Sequence, residues 1–301
     1  MSPRRLVAPT LGLLLASAAG ARASPPTVHV VPAAARPGDA VRLEVRAEEG
    51  PVEAVLAEHR FALAASGAIH VGYLALPLEV APGPHPVVVH AGRSVVTATV
   101  GVIARRFSTS ALRVAPRFTT PERPAAVEAR IARERARVAA LWARPPSPVA
   151  RLGPALAPLE GRLRRTSTYG AARVFNGEVK RRHYGLDLAG RIGRPVRAPW
   201  AGRVVLVGER YFSGGTVVLD HGGGLMSFFF HLSRTDVEVG EAVERGGPLG
   251  AVGATGRVTG PHLHWSVAVR AEPVDGGPAR GLYVDPEPFL DARRREAGRR
   301  E

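Results

Sequence analysis

The sequence predicts a mainly β protein in three parts: an N-terminal immunoglobulin-like β-sandwich, a helical linker and a C-terminal antiparallel β domain. Three observations support this fold class. Short strand-forming runs alternate with Gly- and Pro-containing turns up to about Val102. Apolar residues then recur at three- and four-residue steps over residues 120–142, which indicates one helix. From Arg165 onward the chain is again rich in Gly and in strand-forming segments.

Residues 1–23 have the pattern of a secretory signal peptide. Two arginines, Arg4 and Arg5, precede an apolar stretch at residues 6–19, and Ala21-Arg22-Ala23 supplies a small-x-small cleavage site. We expect cleavage after Ala23, no stable membrane insertion afterwards, and export to the periplasm or cell envelope of a bacterium. A retained membrane anchor is the alternative, but the apolar stretch is short for a membrane span.

The composition limits the binding partners and the kinds of metal site that the chain can have. The chain has 301 residues, no Cys and a formal net charge of +15. Without Cys an exported chain has no disulfides, and any zinc site must use His and carboxylate ligands. The positive charge suits an anionic polymer such as a bacterial wall. Nucleic acid is a poor fit, because the sequence has no stripe of basic and aromatic residues.

Residues 24–104 are predicted to form the immunoglobulin-like domain. Runs at residues 27–31, 40–45 and 94–102 are strand-like, and turns such as Pro37-Gly38-Asp39 separate them. Five histidines are scattered through the region without ligand spacing, and we interpret them as structural or surface residues: His29, His59, His70, His85 and His90.

Residues 105–165 are predicted to be a helical and Pro-rich linker. Thr120 is the expected helix N-cap, and Pro145-Pro146 should end the helix after Trp142. The Arg- and Glu-rich remainder of the helix is interpreted as a solvated face. Beyond the linker, residues 166–292 are predicted to form the second β domain, and residues 293–301 a charged tail.

The second domain contains the candidate metal ligands. His183 and Asp187 are four residues apart, and a straight strand would separate their Cα atoms by about 13 Å. Gly185 between them is therefore expected to provide a bend. His262 and His264 lie on one predicted strand and face the same side. One of them could complete a three-ligand zinc site with His183 and Asp187, and the other could transfer protons.

Three motifs follow one another in this domain. They are HYGLD at residues 183–187, FFFHLS at 228–233 and VGATGRVTGPHLHW at 252–265. Together they make residues 166–290 resemble the lysostaphin-type (LytM-type) zinc endopeptidases of bacterial cell walls. The resemblance implies a compact antiparallel β fold, the duplicated hybrid motif, around one Zn²⁺. It implies the zinc ligands His183, Asp187 and His264 and the catalytic histidines His231 and His262.

The resemblance also implies a reaction and a substrate class. The reaction is hydrolysis of peptide bonds in peptidoglycan stems or cross-links, using a zinc-activated water and two histidines for proton transfer and oxyanion stabilisation. Asn176, near the start of the domain, is a candidate substrate-binding residue. The sequence departs from the family pattern in two places: Trp265 replaces the usual Phe, and Phe229-Phe230 precede His231 where Tyr is common. Both departures are expected to affect the wall of the substrate groove and therefore the choice of substrate.

Two other functions fit parts of the sequence. A non-catalytic regulator on the same fold could bind an amidase or the wall, but such degenerate relatives lose zinc ligands, and this chain has all three. A carrier or adhesion module would depend on the basic surface and the β-sandwich. His221 lies in a predicted hairpin turn, and we interpret it as structural. Metal analysis distinguishes the enzyme from both alternatives.

Overall fold

A computed structural model describes residues 25–47, 50–120, 122–148, 152–177 and 179–290 of the chain. The predicted signal peptide at residues 1–23 and the predicted charged tail at residues 293–301 lie outside these residues. Within them the protein is mainly β, with one α-helix and two short 3₁₀ helices. Among the helices of these residues, none combines the length and the hydrophobicity that a membrane-spanning segment needs.

Within the described part of the N-terminal region there are eight strands. They are Thr27–Val31 (β1), Ala34–Ala35 (β2), Ala40–Arg46 (β3), Val52–Leu56 (β4), His59–Ser66 (β5), Ile69–Ala75 (β6), Gly83–Ala91 (β7) and Ser94–Val102 (β8). Strand β3 pairs with β1 and β6, and β7 pairs with β4 and β8; strand β5 pairs with both β4 and β6 and so joins the two groups.

Alternating burial explains why these segments are strands. Val41, Leu43 and Val45 on β3 are fully buried, and the residues between them are half-buried. Removing a Val or Leu side chain of this size from water contributes about 1.5–3 kcal/mol. The strand prediction is confirmed here, and the immunoglobulin-like assignment of the region stays a prediction.

The predicted linker contains a strand, Thr109–Leu112 (β9), a 3₁₀ helix, Pro116–Phe118, and the α-helix, Ala125–Trp142 (α1). The prediction of Thr120 as the N-cap is wrong, because the helix begins after Pro124. The residue before a proline avoids helical dihedrals, so Arg123 cannot belong to the helix. The Thr120 hydroxyl instead donates to the carbonyl of Pro116.

Twelve strands follow the helix within the described residues. They are Arg165–Ser167 (β10), Ala172–Phe175 (β11), Val179–Arg182 (β12), Leu186–Ala189 (β13), Pro195–Arg197 (β14), Gly202–Arg210 (β15), Gly214–Asp220 (β16), Leu225–Thr235 (β17), Ala242–Val243 (β18), Pro248–Val252 (β19), His262–Pro273 (β20) and Arg280–Val284 (β21), and a 3₁₀ helix at Glu287–Phe289 follows them.

Strand β20 organises this region. It pairs antiparallel with β13, β17 and β21, and β17 pairs in turn with β16 and β19. Leu263 and Trp265 on one face of β20 are fully buried in the core, which leaves His262 and His264 on the opposite face, as the alternation predicts. A separate three-stranded sheet consists of β9, β11 and β12.

The N-terminal and C-terminal regions are connected by backbone and side-chain contacts. The end of β20 pairs with β5, where Glu272 lies opposite Arg60. The Arg105 guanidinium donates to Asp285 at 2.5 Å and to Asp39 at 3.3 Å. The β20–β5 pairing and the Arg105 side chain, which contacts Asp39 in one region and Asp285 in the other, therefore join the two regions.

Candidate metal centre and active site

Three predicted ligands converge in the C-terminal region. His183 Nε2 lies 3.0 Å from Asp187 Oδ1 and 3.0 Å from His264 Nδ1, and the last two atoms are 2.8 Å apart. All three residues are buried. Within the described residues they form a group whose ligand atoms could hold one metal ion.

Strand register and one glycine bring these residues together. Asp187 on β13 lies directly opposite His264 on β20. Gly185 lies in a bend between His183 and Asp187, as predicted. A Cβ atom on residue 185 would lie 2.6 Å from His264 Nε2 and from Ser266 Oγ. The close approach of the His264 ring therefore requires glycine at this position.

Hydrogen bonds on the far side of each ring fix where the ring protons reside. His183 Nδ1 lies 2.8 Å from the carbonyl oxygen of Thr168, so this nitrogen must carry the proton. The Ser266 hydroxyl donates to the carbonyl of Tyr184 and therefore accepts from His264 Nε2 at 2.7 Å. In the neutral rings, His183 Nε2 and His264 Nδ1 are thus left as unprotonated acceptors.

The result is a cluster of acceptors that lacks a proton. Two nitrogen lone pairs and a carboxylate oxygen face one another at 2.8–3.0 Å. Such groups repel one another unless a cation lies between them, and outer hydrogen bonds that orient imidazoles in this way are typical of zinc sites. The donor set of two imidazoles and one carboxylate fits Zn²⁺.

The pKa directions agree with this charge state. Burial lowers the pKa of His264 to about 4, so its ring is neutral near pH 7. Burial opposes ionisation of Asp187, but proton donation and positive charge from His183 and His264 more than compensate and hold the pKa of this carboxyl well below its usual value. When both rings are neutral and their inner nitrogens carry no proton, a bound cation would supply that stabilisation of the carboxylate. The Arg173 guanidinium donates to the second carboxylate oxygen, Oδ2.

The two predicted catalytic histidines lie beside this cluster. The ring centroids of His231 and His262 are 4.8 Å apart, and His262 Nε2 lies 3.7 Å from Asp187 Oδ1. The Nδ1 atoms of the two rings lie 2.8 Å from the carbonyl oxygens of Thr255 and Gly260 respectively. Each neutral ring therefore carries its proton on Nδ1 and has Nε2 free to accept one.

His231 has an uncommon backbone conformation. Its φ is +64°, in the left-handed region that few residues other than glycine adopt. Strained residues of this kind are concentrated at functional sites. Burial, followed by the neighbouring His262 and His264, lowers the pKa of His231 to about 3. The ring is consequently neutral at physiological pH.

Two further predictions concern residues away from this cluster. The Asn176 amide contacts the backbone of Val114 and the hydroxyl of Thr119, and Asn176 is not among the residues that line the adjacent cavity. Its role in substrate binding stays a prediction. His221 lies in the predicted turn between β16 and β17, where its ring contacts Ala201 O and Ser227 Oγ, each at 2.8 Å.

The sequence analysis missed three residues at the site. Ser266 orients His264 and follows it by two positions on the same strand, so the alternation of side chains could have identified it. Arg173 and Arg257 line the adjacent cavity. Nothing in the sequence separates these two from the other basic residues, because the chain contains 41 Lys and Arg residues.

Comparisons with known proteins agree with the geometry. Residues 181–276 match the model of peptidase family M23. A solved structure of an M23 peptidase from Pseudomonas aeruginosa is 32% identical, with a TM-score of 0.61; the alignment covers 85% of this chain and 94% of that one.

Two curated relatives match a shorter segment. Peptidoglycan DD-endopeptidase ShyA of Vibrio cholerae is 44% identical over 93 residues, which are 31% of this chain and 22% of that protein. Lysostaphin of Staphylococcus staphylolyticus is 34% identical over 118 residues, which are 38% and 23% of the two chains. The chain spans about a fifth of the length of the curated relatives that it matches. The family match, the nearly full-length similarity and the three-ligand cluster together show that the chain belongs to peptidase family M23.

Proposed function

We propose that the chain is an exported zinc endopeptidase that hydrolyses peptide bonds in the stems or cross-links of peptidoglycan. The observation that carries this proposal is the cluster of His183, Asp187 and His264, whose inward-facing atoms are all acceptors. Burying three such groups against one another costs free energy unless a cation lies between them, so the cluster favours a metal-binding protein over one that holds no metal.

The substrate class is supported by the relatives. One is named a peptidoglycan DD-endopeptidase, and another is lysostaphin. Action on peptidoglycan requires export, in agreement with the signal peptide predicted at residues 1–23. The net charge of +15 favours association with an anionic wall.

His183, Asp187 and His264 would hold the ion through Nε2, Oδ1 and Nδ1. A bound Zn²⁺ supplies Lewis acidity, which lowers the pKa of a coordinated water toward about 7 and polarises a carbonyl group. The half-buried Arg173 holds the second oxygen of Asp187, so that Oδ1 stays directed at the two imidazoles. Ser266 and Thr168 keep both imidazoles in the tautomer that a cation requires.

His231 and His262 would carry the protons. Each ring keeps its Nδ1 proton on a backbone carbonyl, so Nε2 is the atom that accepts a proton from the attacking water. Once protonated, the same atom can donate to the leaving amine or stabilise the oxyanion of the tetrahedral intermediate. The proposal assigns both functions to the pair and leaves their division open.

Finer assignments belong to the same proposal. Residues 24–104 are an immunoglobulin-like domain, residues 105–165 the connecting segment and residues 166–292 the peptidase domain. Two observations support these ranges. Strand β5 pairs with both β4 and β6 and so joins the N-terminal strands into one unit. The segment that matches the family model, residues 181–276, lies within residues 166–292. Asn176 is kept as a candidate substrate-binding residue.

Digestion of purified peptidoglycan tests the proposal. The protein is incubated with sacculi in three samples: as purified, with a chelator, and with the chelator followed by excess Zn²⁺. Mass analysis of the released fragments should show new peptide termini in the first and third samples and none in the second. Tight binding to sacculi without new termini in any sample would reject the enzyme and favour the non-catalytic regulator.

A further inference from the structure

The candidate site opens into a cavity of about 230 Å³ whose walls are strongly basic. Arg173, Arg182 and Arg257 line it together with His183, His231 and His264. Among the described residues that line the cavity there is no Asp or Glu. The nearby Asp187 is already engaged with the histidines and Arg173. The cavity therefore has an excess of positive charge directly beside the ligand cluster.

Arg257 is held in place without being neutralised. Its guanidinium lies 4.5 Å from the ring centroid of Phe175 and 5.0 Å from that of Phe212. The backbone N–H of Arg257 also donates to the carbonyl of Phe212 at 2.8 Å. Contact with aromatic faces leaves the in-plane N–H groups of a guanidinium free to donate. Within the described residues, no ion pair involves Arg257.

The electrostatic environment of Arg257 is unfavourable in the free protein. Burial, followed by the positive charges of Arg173, Arg181 and Arg123, lowers its pKa to about 10. Arg173 contributes a second sign of incomplete pairing, because its Nε atom is buried and has no hydrogen-bond partner. A partly buried cation among other cations is stabilised when an anion binds beside it.

We propose that Arg257, flanked by Arg173, binds a carboxylate of the substrate, so that the site selects peptides with a free carboxylate close to the cleaved bond. This inference rests on the proposed function and names the substrate class of the same site. Guanidinium groups bind carboxylates through two parallel hydrogen bonds, and a bound carboxylate would offset the repulsion among the arginines. Arg257 would then be a residue that determines specificity, not one that carries the chemistry.

Binding measurements test this inference separately from hydrolysis. Two synthetic stem peptides are compared that differ in a single group, a carboxylate in one and a carboxamide in the other. Each is titrated calorimetrically into the full-length protein in the presence of a chelator, which prevents both cleavage and direct binding of the carboxylate to a metal. The carboxylate peptide should bind about tenfold more tightly, as expected for charge-assisted hydrogen bonds.

Variants identify the residue responsible. Arg257→Gln should reduce the preference to less than twofold, and Arg257→Lys, which keeps the charge and loses the planar fork, should retain part of it. Arg93→Gln is the matched control, because Arg93 is exposed in the turn between β7 and β8 and its replacement removes the same charge. This control should keep the full tenfold preference. Circular dichroism establishes that each variant is folded.

The outcomes separate this inference from the proposed function. Equal binding of both peptides to the wild type, or an unchanged preference in Arg257→Gln, would overturn the inference even if the zinc-loaded protein hydrolyses peptidoglycan. An equal loss in Arg93→Gln would also overturn it, since the effect would then be one of overall charge. A preference that depends on Arg257 without any hydrolysis by the zinc-loaded protein would support the inference and contradict the proposed enzyme.

Discussion

The N-terminal and C-terminal β regions of this chain each contain five histidines, but the two sets are arranged differently. In the N-terminal region, within the described residues, no histidine belongs to a group of metal-ligating side chains. His59 contacts Arg280, and His85 contacts the carbonyl of Ala81. In the C-terminal region the rings of His183, His231 and His264 lie within 6.1 Å centroid-to-centroid of at least one neighbouring histidine.

This difference shows that strand register, not histidine content, brings the residues of the candidate metal site together. Both regions consist largely of antiparallel strands, and both alternate apolar and polar positions. In the C-terminal region, β20 is placed between β13 and β17, so that His264 lies opposite Asp187 on one side and Phe230 on the other. Shifting β20 by one residue would move His262 and His264 to the core face and destroy the cluster.

The largest expected effect comes from removing a ligand. Asp187→Ala leaves two imidazoles without the carboxylate that completes the set, so zinc affinity should fall by more than the 10- to 100-fold typical of losing an outer-shell partner. Metal content after dialysis, measured by mass spectrometry, checks this. His90→Ala in the N-terminal region is the matched control and should retain the metal. Stoichiometric zinc in Asp187→Ala would reject the ligand assignment.

Removal of a proton-transfer group should have the next largest effect. His231→Ala is expected to keep its zinc and to hydrolyse peptidoglycan about 10²- to 10⁴-fold more slowly, because general acid–base catalysis contributes that much. The release of soluble peptides per mole of bound zinc is the measurement. His85→Ala should behave as the wild type. Undiminished hydrolysis by His231→Ala would exclude this histidine from catalysis.

The boundary between the two regions can be tested through Arg105. Arg105→Ala leaves the buried carboxylate of Asp285 without its guanidinium partner, and the loss should be about 3 kcal/mol of unfolding free energy. Denaturant unfolding measures this loss of free energy. The signal is the fluorescence of the three Trp residues, all of which lie C-terminal to Arg105. Arg234→Ala, which breaks an exposed pair with Asp236, should cost less than about 1 kcal/mol. Equal effects of the two variants would contradict a buried boundary.

The smallest expected effect concerns acid stability of the C-terminal region. Burial lowers the pKa of His221 from 6.5 to about 4, so the unfolded chain binds this proton more readily than the folded protein does. The stability contribution of His221 is therefore complete above pH 6.5 and is lost as the pH falls toward 4. Lowering the pH from 7.5 to 5 should cost the wild type about 2 kcal/mol through His221.

His221→Gln tests this directly. The variant is less stable at pH 7.5, but its unfolding free energy should change by about 2 kcal/mol less between pH 7.5 and 5 than that of the wild type. His29→Gln is the control, because His29 is an exposed histidine on β1 in the N-terminal region. The same pH dependence in wild type and His221→Gln would show that His221 does not remain neutral on folding.

Much of the site could be predicted from local sequence. The alternation in GPHLHW places His262 and His264 on one face, and the position of Gly185 predicts the bend between His183 and Asp187. The order of the motifs then indicates the family. The helix start was mispredicted because Thr120 is an adequate N-cap in isolation, whereas the constraint imposed by Pro124 on the preceding residue is stronger.

Other features depend on contacts between residues distant in sequence. The pairing of β9 with β11 links the predicted linker to the edge of the site. Arg173 lies on β11 and Arg257 lies in the loop between β19 and β20, and both line the same cavity. Arginines are frequent in this chain, so no local pattern marks the two that line the cavity. The sequence by itself determined which residues can ligate a metal, because strand alternation and ligand chemistry are local properties. Only the tertiary structure decided that these ligands face one another beside a basic cavity, because strand register and the approach of distant segments are set by packing of the whole fold.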